Sequence, residues 1–254
     1  MPARRTLWLM TLLIAGAGDA LATGCRLAPQ GEGRVAAIVD AVSFRLEDGR
    51  EVKLAGLARL ATRRDQNAAA LADLVQGREV TLHGTSDMPD RYGRQPALVY
   101  RRGDEVSLQA LLLGTGDAVA SGDLPHRDCR AELAEAERRA RVAGHGFWGE
   151  PTALKNPEKP GDIVSGIGRF TLVEGRVVSV REAGATLYLN FGHRWTRDFA
   201  VTISRRDAAA FEAAGVALKS LERRRILVRG VIEKRRGPQI EIRQVGQIEL
   251  VGDR

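Results

Sequence analysis

The run Asp90-Arg91-Tyr92-Gly93-Arg94 sets an arginine on the far side of a glycine turn, just before the apolar segment Ala97-Leu98-Val99-Tyr100. An arginine there offers a planar, permanently charged fork that suits a phosphate. The alternative is that Arg94 bonds to loop carbonyls or to an acidic neighbour. Three basic clusters lie further on, Arg205-Arg206, Arg223-Arg224-Arg225 and Lys234-Arg235-Arg236. Such clusters suit nucleic acid, anionic lipid or another polyanion, and equally a solvated surface. His126 and Cys129 have a metal-like spacing, but no second pair of ligands follows. The four histidines are scattered, and neither a glycine-rich phosphate loop nor a G-x-S-x-G elbow is present. Classes of enzyme built on those motifs are thereby set aside.

The elements that must carry these residues are short. Alternating or β-branched runs at 34–40, 43–47 and 51–57 predict a three-stranded meander, with Glu47-Asp48-Gly49-Arg50 as a hairpin turn. Helical spacing predicts a helix over 63–76, ended by Gly77. Strands at 79–84 and 97–101 follow, then a short apolar helix over 106–113 ended by Gly114 and an amphipathic one over 128–143 ended by Gly144. The proline-punctuated segment 150–162 reads as a linker. Beyond it, strands at 170–181, 186–191, 199–203, 224–233 and 239–243 surround a helix over 206–214. The expected class is α+β, mainly β. A β-β-β-α-β-β-α-α domain at 34–149 precedes a second five-stranded barrel with one helix at 163–251, both of the oligonucleotide-binding (OB) type.

Charge separates the two halves. From 23 to 162 there are 20 basic and 21 acidic residues, whereas 163–254 carries 17 basic against 10 acidic. The positive field belongs to the second domain. At the N-terminus, Arg4-Arg5, the apolar stretch 7–18 and Ala20-Leu21-Ala22 read as a signal peptide over 1–22. Its apolar stretch is shorter than the roughly 20 residues of a spanning helix. An exported protein, periplasmic or secreted, is expected, with no transmembrane segment after cleavage. Ala22-Thr23-Gly24-Cys25 weakly matches a lipobox, which makes a lipid anchor at Cys25 the alternative. Cys25 and Cys129 are the only cysteines, and an oxidising compartment permits them to pair or leaves two thiols.

Asp90 to Arg94, the strand behind it, the helix Cys129 to Arg141 and the closing Gly146-Phe147-Trp148 together resemble staphylococcal-nuclease-like (thermonuclease-like) domains. The resemblance spans 34–149 and takes in the strand order. It implies a calcium-dependent nuclease fold, in which carboxylates hold the metal, a glutamate activates water and two arginines hold the phosphate. It also sets this chain's residues against those roles. Asp40-Ala41-Val42-Ser43 stands at the first acidic motif, so Val42 occupies a metal-aspartate position. Ala58 occupies the second and Ala61 that of the glutamate, Lys53 replaces one arginine, and Arg94 retains the other. Calcium demands oxygen ligands that valine and alanine lack, and lysine lacks the arginine fork.

The resemblance therefore implies a fold whose catalysis is impaired, with no cofactor, calcium being expected only if activity is retained. Arg94 and Lys53 are what the resemblance leaves of the catalytic set, and binding is expected at Asp40, Arg223, Arg224 and Arg225. The expected role is a scaffold or binding module for nucleic acid, another polyanion or envelope proteins. The alternative is an active phosphodiesterase cleaving DNA or RNA with relocated ligands such as Asp65 or Asp87. The second domain is similar to the C-terminal domain that accompanies nuclease-like domains in some bacterial exported proteins, on residues such as Leu189 to Gly192 and Gly237 to Ile242. Tyr188, Phe191, Trp195 and Phe199 could stack bases there, but their strand positions favour the core.

Overall fold

The computed structural model describes residues 25–252; the expected signal peptide and its cleavage site lie outside the described residues. The first unit contains β1 (Ala28–Asp40), β2 (Ser43–Leu46), β3 (Glu51–Leu54), β4 (Leu57–Ala58), α1 (Arg64–Val75), β5 (Glu79–Gly84), β6 (Arg94–Arg101), α2 (Leu108–Thr115), β7 (Val119–Ala120) and α3 (Arg127–Ala143). Five of these strands close a barrel in the order β1-β2-β3-β6-β5. The pairing of β3 with β6 is parallel, and the other pairs are antiparallel. Inward residues such as Phe44, Val52, Leu54, Leu82 and Val99 are fully buried, as period-2 alternation on a one-sided sheet requires.

Strand β1 begins well before the expected 34, because Ala28 to Arg34 pair with β5. Pro29, Gly31 and Gly33 hide that stretch from a search for alternation. Helix α2 also sits two residues further on than expected. Ser107 caps its start by accepting from the Ala110 N–H at 3.2 Å, and its left-handed C-cap is Gly116 at φ +73°, so Gly114 lies inside the helix. Gln109 anchors α2 to the barrel: its carboxamide donates to the Ala97 carbonyl at 2.7 Å and accepts from the Val99 N–H at 3.2 Å. A disulfide joins Cys25 to Cys129, with Cα atoms 4.3 Å apart. It fastens the start of β1 to the first turn of α3, using the sulfur that a lipid anchor would need.

The second unit contains α4 (Pro160–Val164), β8 (Phe170–Arg176), β9 (Ser179–Ala183), β10 (Thr186–Asn190), β11 (Ala200–Ser204), α5 (Arg205–Ala213), β12 (Arg225–Lys234), β13 (Pro238–Ile242) and β14 (Ile248–Leu250). The expected strand over 170–181 breaks at Val177-Val178, so that β8 pairs with β12 while β9 pairs with β10. The expected five-stranded barrel is instead a seven-stranded sheet in the order β14-β12-β13-β11-β10-β9, with β8 paired to β12 and not to β9. Again one pair, β11 with β13, is parallel and the helix falls between the third and fourth positions of the path in sequence. Segment 150–162 does connect the units, but it is packed down. Ala153 is buried, the Lys155 N–H donates to the Leu172 carbonyl at 2.9 Å, and Lys155 pairs with Asp162 at 2.9 Å. Among the described residues no helix is long and apolar enough to cross a membrane.

The two units share a seam. Ala58, Leu60, Val119 and Phe147 of the first form one buried cluster with Leu172 and Leu227 of the second. Beside it Arg229, only 3% exposed, reaches from β12 to Glu137 on α3 at 2.7 Å and to the Ala120 carbonyl at 2.9 Å. Glu137 in turn accepts from the Ala120 N–H at 2.7 Å. The chains approach so closely that a Cβ at Gly122, which sits at φ +76°, would strike the Gly246 carbonyl.

Candidate nucleic-acid interface

The end of β1, β3 and the start of β6 surround a cleft of about 940 Å³ that includes Lys53, Tyr92 and Arg94. Its opposite wall is the second unit, through Phe170, Val231 and Gln247 among others. The cleft is therefore a groove between the two units.

Each residue set against a catalytic role has a definite place. Val42 is 3% exposed and belongs to the apolar core of the first barrel. Ala58, on β4, is buried in the seam against the second unit. Ala61 follows it at a half-buried bend. Asp40 accepts from the Val42 N–H at 2.8 Å, closing the β1–β2 turn, and its other oxygen is held by the Arg59 guanidinium. Turn geometry and an ion pair thus occupy this carboxylate.

Arg94 leaves the turn at the start of β6 and points its fork back onto Asp90. Its Nη2 and Nε lie 2.8 and 3.2 Å from Asp90 Oδ2, while the Tyr92 and Arg94 N–H groups donate to Oδ1 at 2.9 and 3.1 Å. Partial burial works against the charge on Asp90, yet those four bonds and the adjacent guanidinium hold its carboxyl below the usual range. The acidic-neighbour reading of Arg94 is the one the structure shows. Tyr92, 66% exposed, lies under both Arg91 and Arg94, whose guanidinium carbons are 4.8 and 5.1 Å from the ring centroid. Lys53 is half-buried on β3, and among the described residues its ammonium has no carboxylate partner.

Calcium fits this arrangement poorly. Asp65 is exposed on α1 and Asp87 is exposed in the loop before the turn, and neither lines the cleft. Among the described residues no group of three or more His, Cys, Asp or Glu is placed to hold a metal. The carboxylates that line the cleft are Glu51, Asp123, Glu233 and Glu241; the three glutamates pair with Arg45, Arg235 and Arg243 respectively, and Asp123 accepts from the Ser121 hydroxyl. His126 precedes α3 and Cys129 is committed to the disulfide.

Arg223, Arg224 and Arg225 stand apart from the cleft, at the entry to β12. The Arg223 carbonyl accepts from Arg176 at 3.0 Å, and Arg225 pairs with Glu174 at 2.7 Å. They are exposed, but they converge with neither Lys53 nor Arg94. Of the four aromatics expected in the second core, Phe191 and Phe199 are there, with ring centroids 5.2 Å apart. Tyr188 and Trp195 are not, because both face outward and Trp195 is 64% exposed. The parity of β10 explains Tyr188, since Leu187 and Leu189 take the inward positions.

The Arg229–Glu137 pair escaped the sequence reading. Its signal was a glutamate inside the stripe Cys129, Leu133, Ala136, Ala140 of α3, where the helix face is otherwise apolar. A buried glutamate needs a partner.

Comparison with known proteins agrees with the first unit. Residues 56–150 match the family model described as Staphylococcal nuclease homologue. That match begins after the first three strands, so it covers the half of the barrel that carries Ala58 and Arg94. A search of the curated proteins finds none that matches the chain.

Proposed function

We propose that this chain is a nuclease-fold protein that does not hydrolyse phosphodiesters and serves instead as a binding or scaffold module for nucleic acid or a related polyanion. The observation that carries this reading is Ala58. The residue aligned with a metal aspartate is an alanine buried in an apolar seam with Leu172 and Leu227. Ala58 and Val42 also line the cleft between the units, and neither side chain brings to it an oxygen that a calcium ion could use. The same reading accounts for the paired state of Asp40 and Arg94 and for the uncommitted ammonium of Lys53. A closed barrel and a seven-stranded sheet, joined face to side, would present a groove in place of a catalytic pocket. Export before folding fits the Cys25–Cys129 disulfide.

Calcium binding tests the reading without relying on turnover. Calorimetric titration of the mature protein with calcium chloride, with and without a thymidine nucleotide, is expected to show no saturable heat and no rise in melting temperature. Saturable stoichiometric calcium binding, lost on substituting a cleft carboxylate such as Glu51→Gln, would contradict it.

A further inference from the structure

A second groove, of about 850 Å³, runs across the outer face of the sheet in the second unit. Its floor is β11, whose outward residues Ala200, Thr202 and Ser204 are small, while Val201 and Ile203 point into the core. Small side chains on a central strand leave a trough between taller neighbours. One wall is Tyr188, directly opposite Thr202 on β10, backed by Arg181 on β9. At the other wall the β12–β13 turn brings up Arg235 and Arg236. Trp195 stands over the end with most of its indole in solvent and the Arg236 guanidinium 5.7 Å from its ring centroid.

Two features of this lining select one class of ligand. The arginines supply positive charge that complements a phosphate backbone. The exposed faces of Trp195 and Tyr188 are flat platforms, and a base reaches such a platform only when it is unpaired and unstacked from its neighbours. A duplex offers phosphates to the arginines but no free base to the rings. A sulfated or phosphorylated glycan also uses the charge and can pack sugar faces on the rings, so the test below sets it directly against the oligonucleotide.

We propose that this groove binds a single strand of nucleic acid, with bases stacked on Trp195 and Tyr188 and phosphates held by Arg181 and Arg236, Arg235 being already paired with Glu233 and Glu241. The site stands on the second unit and does not depend on whether the first is catalytic. It also has an exit. Glu241 and Arg243 line both this groove and the cleft between the units, so a strand that passes Arg243 arrives at Lys53 and Tyr92.

The test uses the full mature chain and a fluorescein-labelled oligothymidylate, followed by fluorescence anisotropy at low and physiological salt. Binding is expected to weaken steeply with salt. Trp195→Ala should weaken it by about tenfold or more, as loss of a stacking platform does, whereas Trp195→Phe should retain most of the affinity. The paired substitution Arg223→Ala with Arg224→Ala, remote from the groove, should cost little beyond its charge. Because Trp195 is mostly exposed, circular dichroism should show every variant folded. The proposal is overturned by absence of oligothymidylate binding, or by binding that is the same in Trp195→Ala and Tyr188→Ala as in the parent. It is equally overturned if dextran sulfate binds as tightly as the oligonucleotide.

Discussion

Arg94 meets a phosphate with only part of its donor set, because its Nε and Nη2 already bond Asp90, whose carboxylate also offsets its charge. The sequence cannot show this commitment, since an aspartate four residues earlier is equally compatible with a turn that holds its own backbone. The depressed pKa of Asp90 has a consequence for stability. A carboxylate whose folded pKa lies below its unfolded value stabilises the fold at pH values above the unfolded one, about 3.9, and that contribution is lost as the pH falls through the folded value. Asp162, which partial burial opposes but the Asn156 N–H and Lys155 draw down, behaves in the same direction. Both contributions should be intact from neutrality to about pH 4 and vanish below it. Urea denaturation across that range is expected to show a shallower acid limb for Asp90→Asn and for Asp162→Asn than for the parent; identical limbs would contradict the assignment. That Val42, Ala58 and Ala61 carry no oxygen ligand is legible from residue type alone; that they stand at metal and base positions is part of the proposed function. Val42 is buried in the first barrel's own core and Ala61 is half-buried, so only for Ala58 does burial involve the second unit, through Leu172 and Leu227.

Among the elements, strands with clean alternation were found where the sequence put them. β2, β5 and β10 alternate in burial along their whole length or nearly so. The misplaced boundaries have local causes. The early part of β1 is interrupted by Pro29, Gly31 and Gly33, and the end of α2 is decided by Gly116 adopting a left-handed conformation when Gly114 was equally available by composition. The disulfide ties two such elements across 104 residues of chain. Closing a loop of that size restricts the unfolded chain, and loss of such a bridge costs about 2–5 kcal/mol. Reduction, or the paired substitution Cys25→Ser with Cys129→Ser, should therefore lower the melting temperature of the transition the two units share. Calorimetry reads this directly, and an unchanged transition would show that the bridge contributes little. Gln109 works at the same scale: Gln109→Leu would leave the Val99 N–H unsatisfied in the core, a loss of about 1–3 kcal/mol.

At the scale of the whole molecule, the seam makes the two units one body. Arg229 and Glu137 are both about 4% exposed on their side chains and lie 2.7 Å apart, and removing one member of such a pair strands the other charge away from water. Arg229→Ala is expected to cost about 3–5 kcal/mol and to separate a single unfolding transition into two, as measured by calorimetry. One unsplit, unshifted transition would mean that the apolar cluster alone couples the units. Leu227→Ala probes that cluster independently and should cost about 2–5 kcal/mol. The mixed, mainly β class and the first, closed barrel could be read from the sequence because they depend on local periodicity. The docking could not, because it rests on a glutamate and an arginine 92 residues apart whose pairing has no local signature. That docking shapes the proposed function, in which the cleft between the units is lined by Val42 and Ala58 rather than by carboxylates at those positions and binds without cleaving. The most direct measurement is cleavage of labelled single-stranded DNA and RNA by the purified mature protein in calcium, with a chelator control. No chelator-sensitive hydrolysis above the buffer blank is predicted; robust calcium-dependent hydrolysis that Arg94→Ala abolishes would contradict the account.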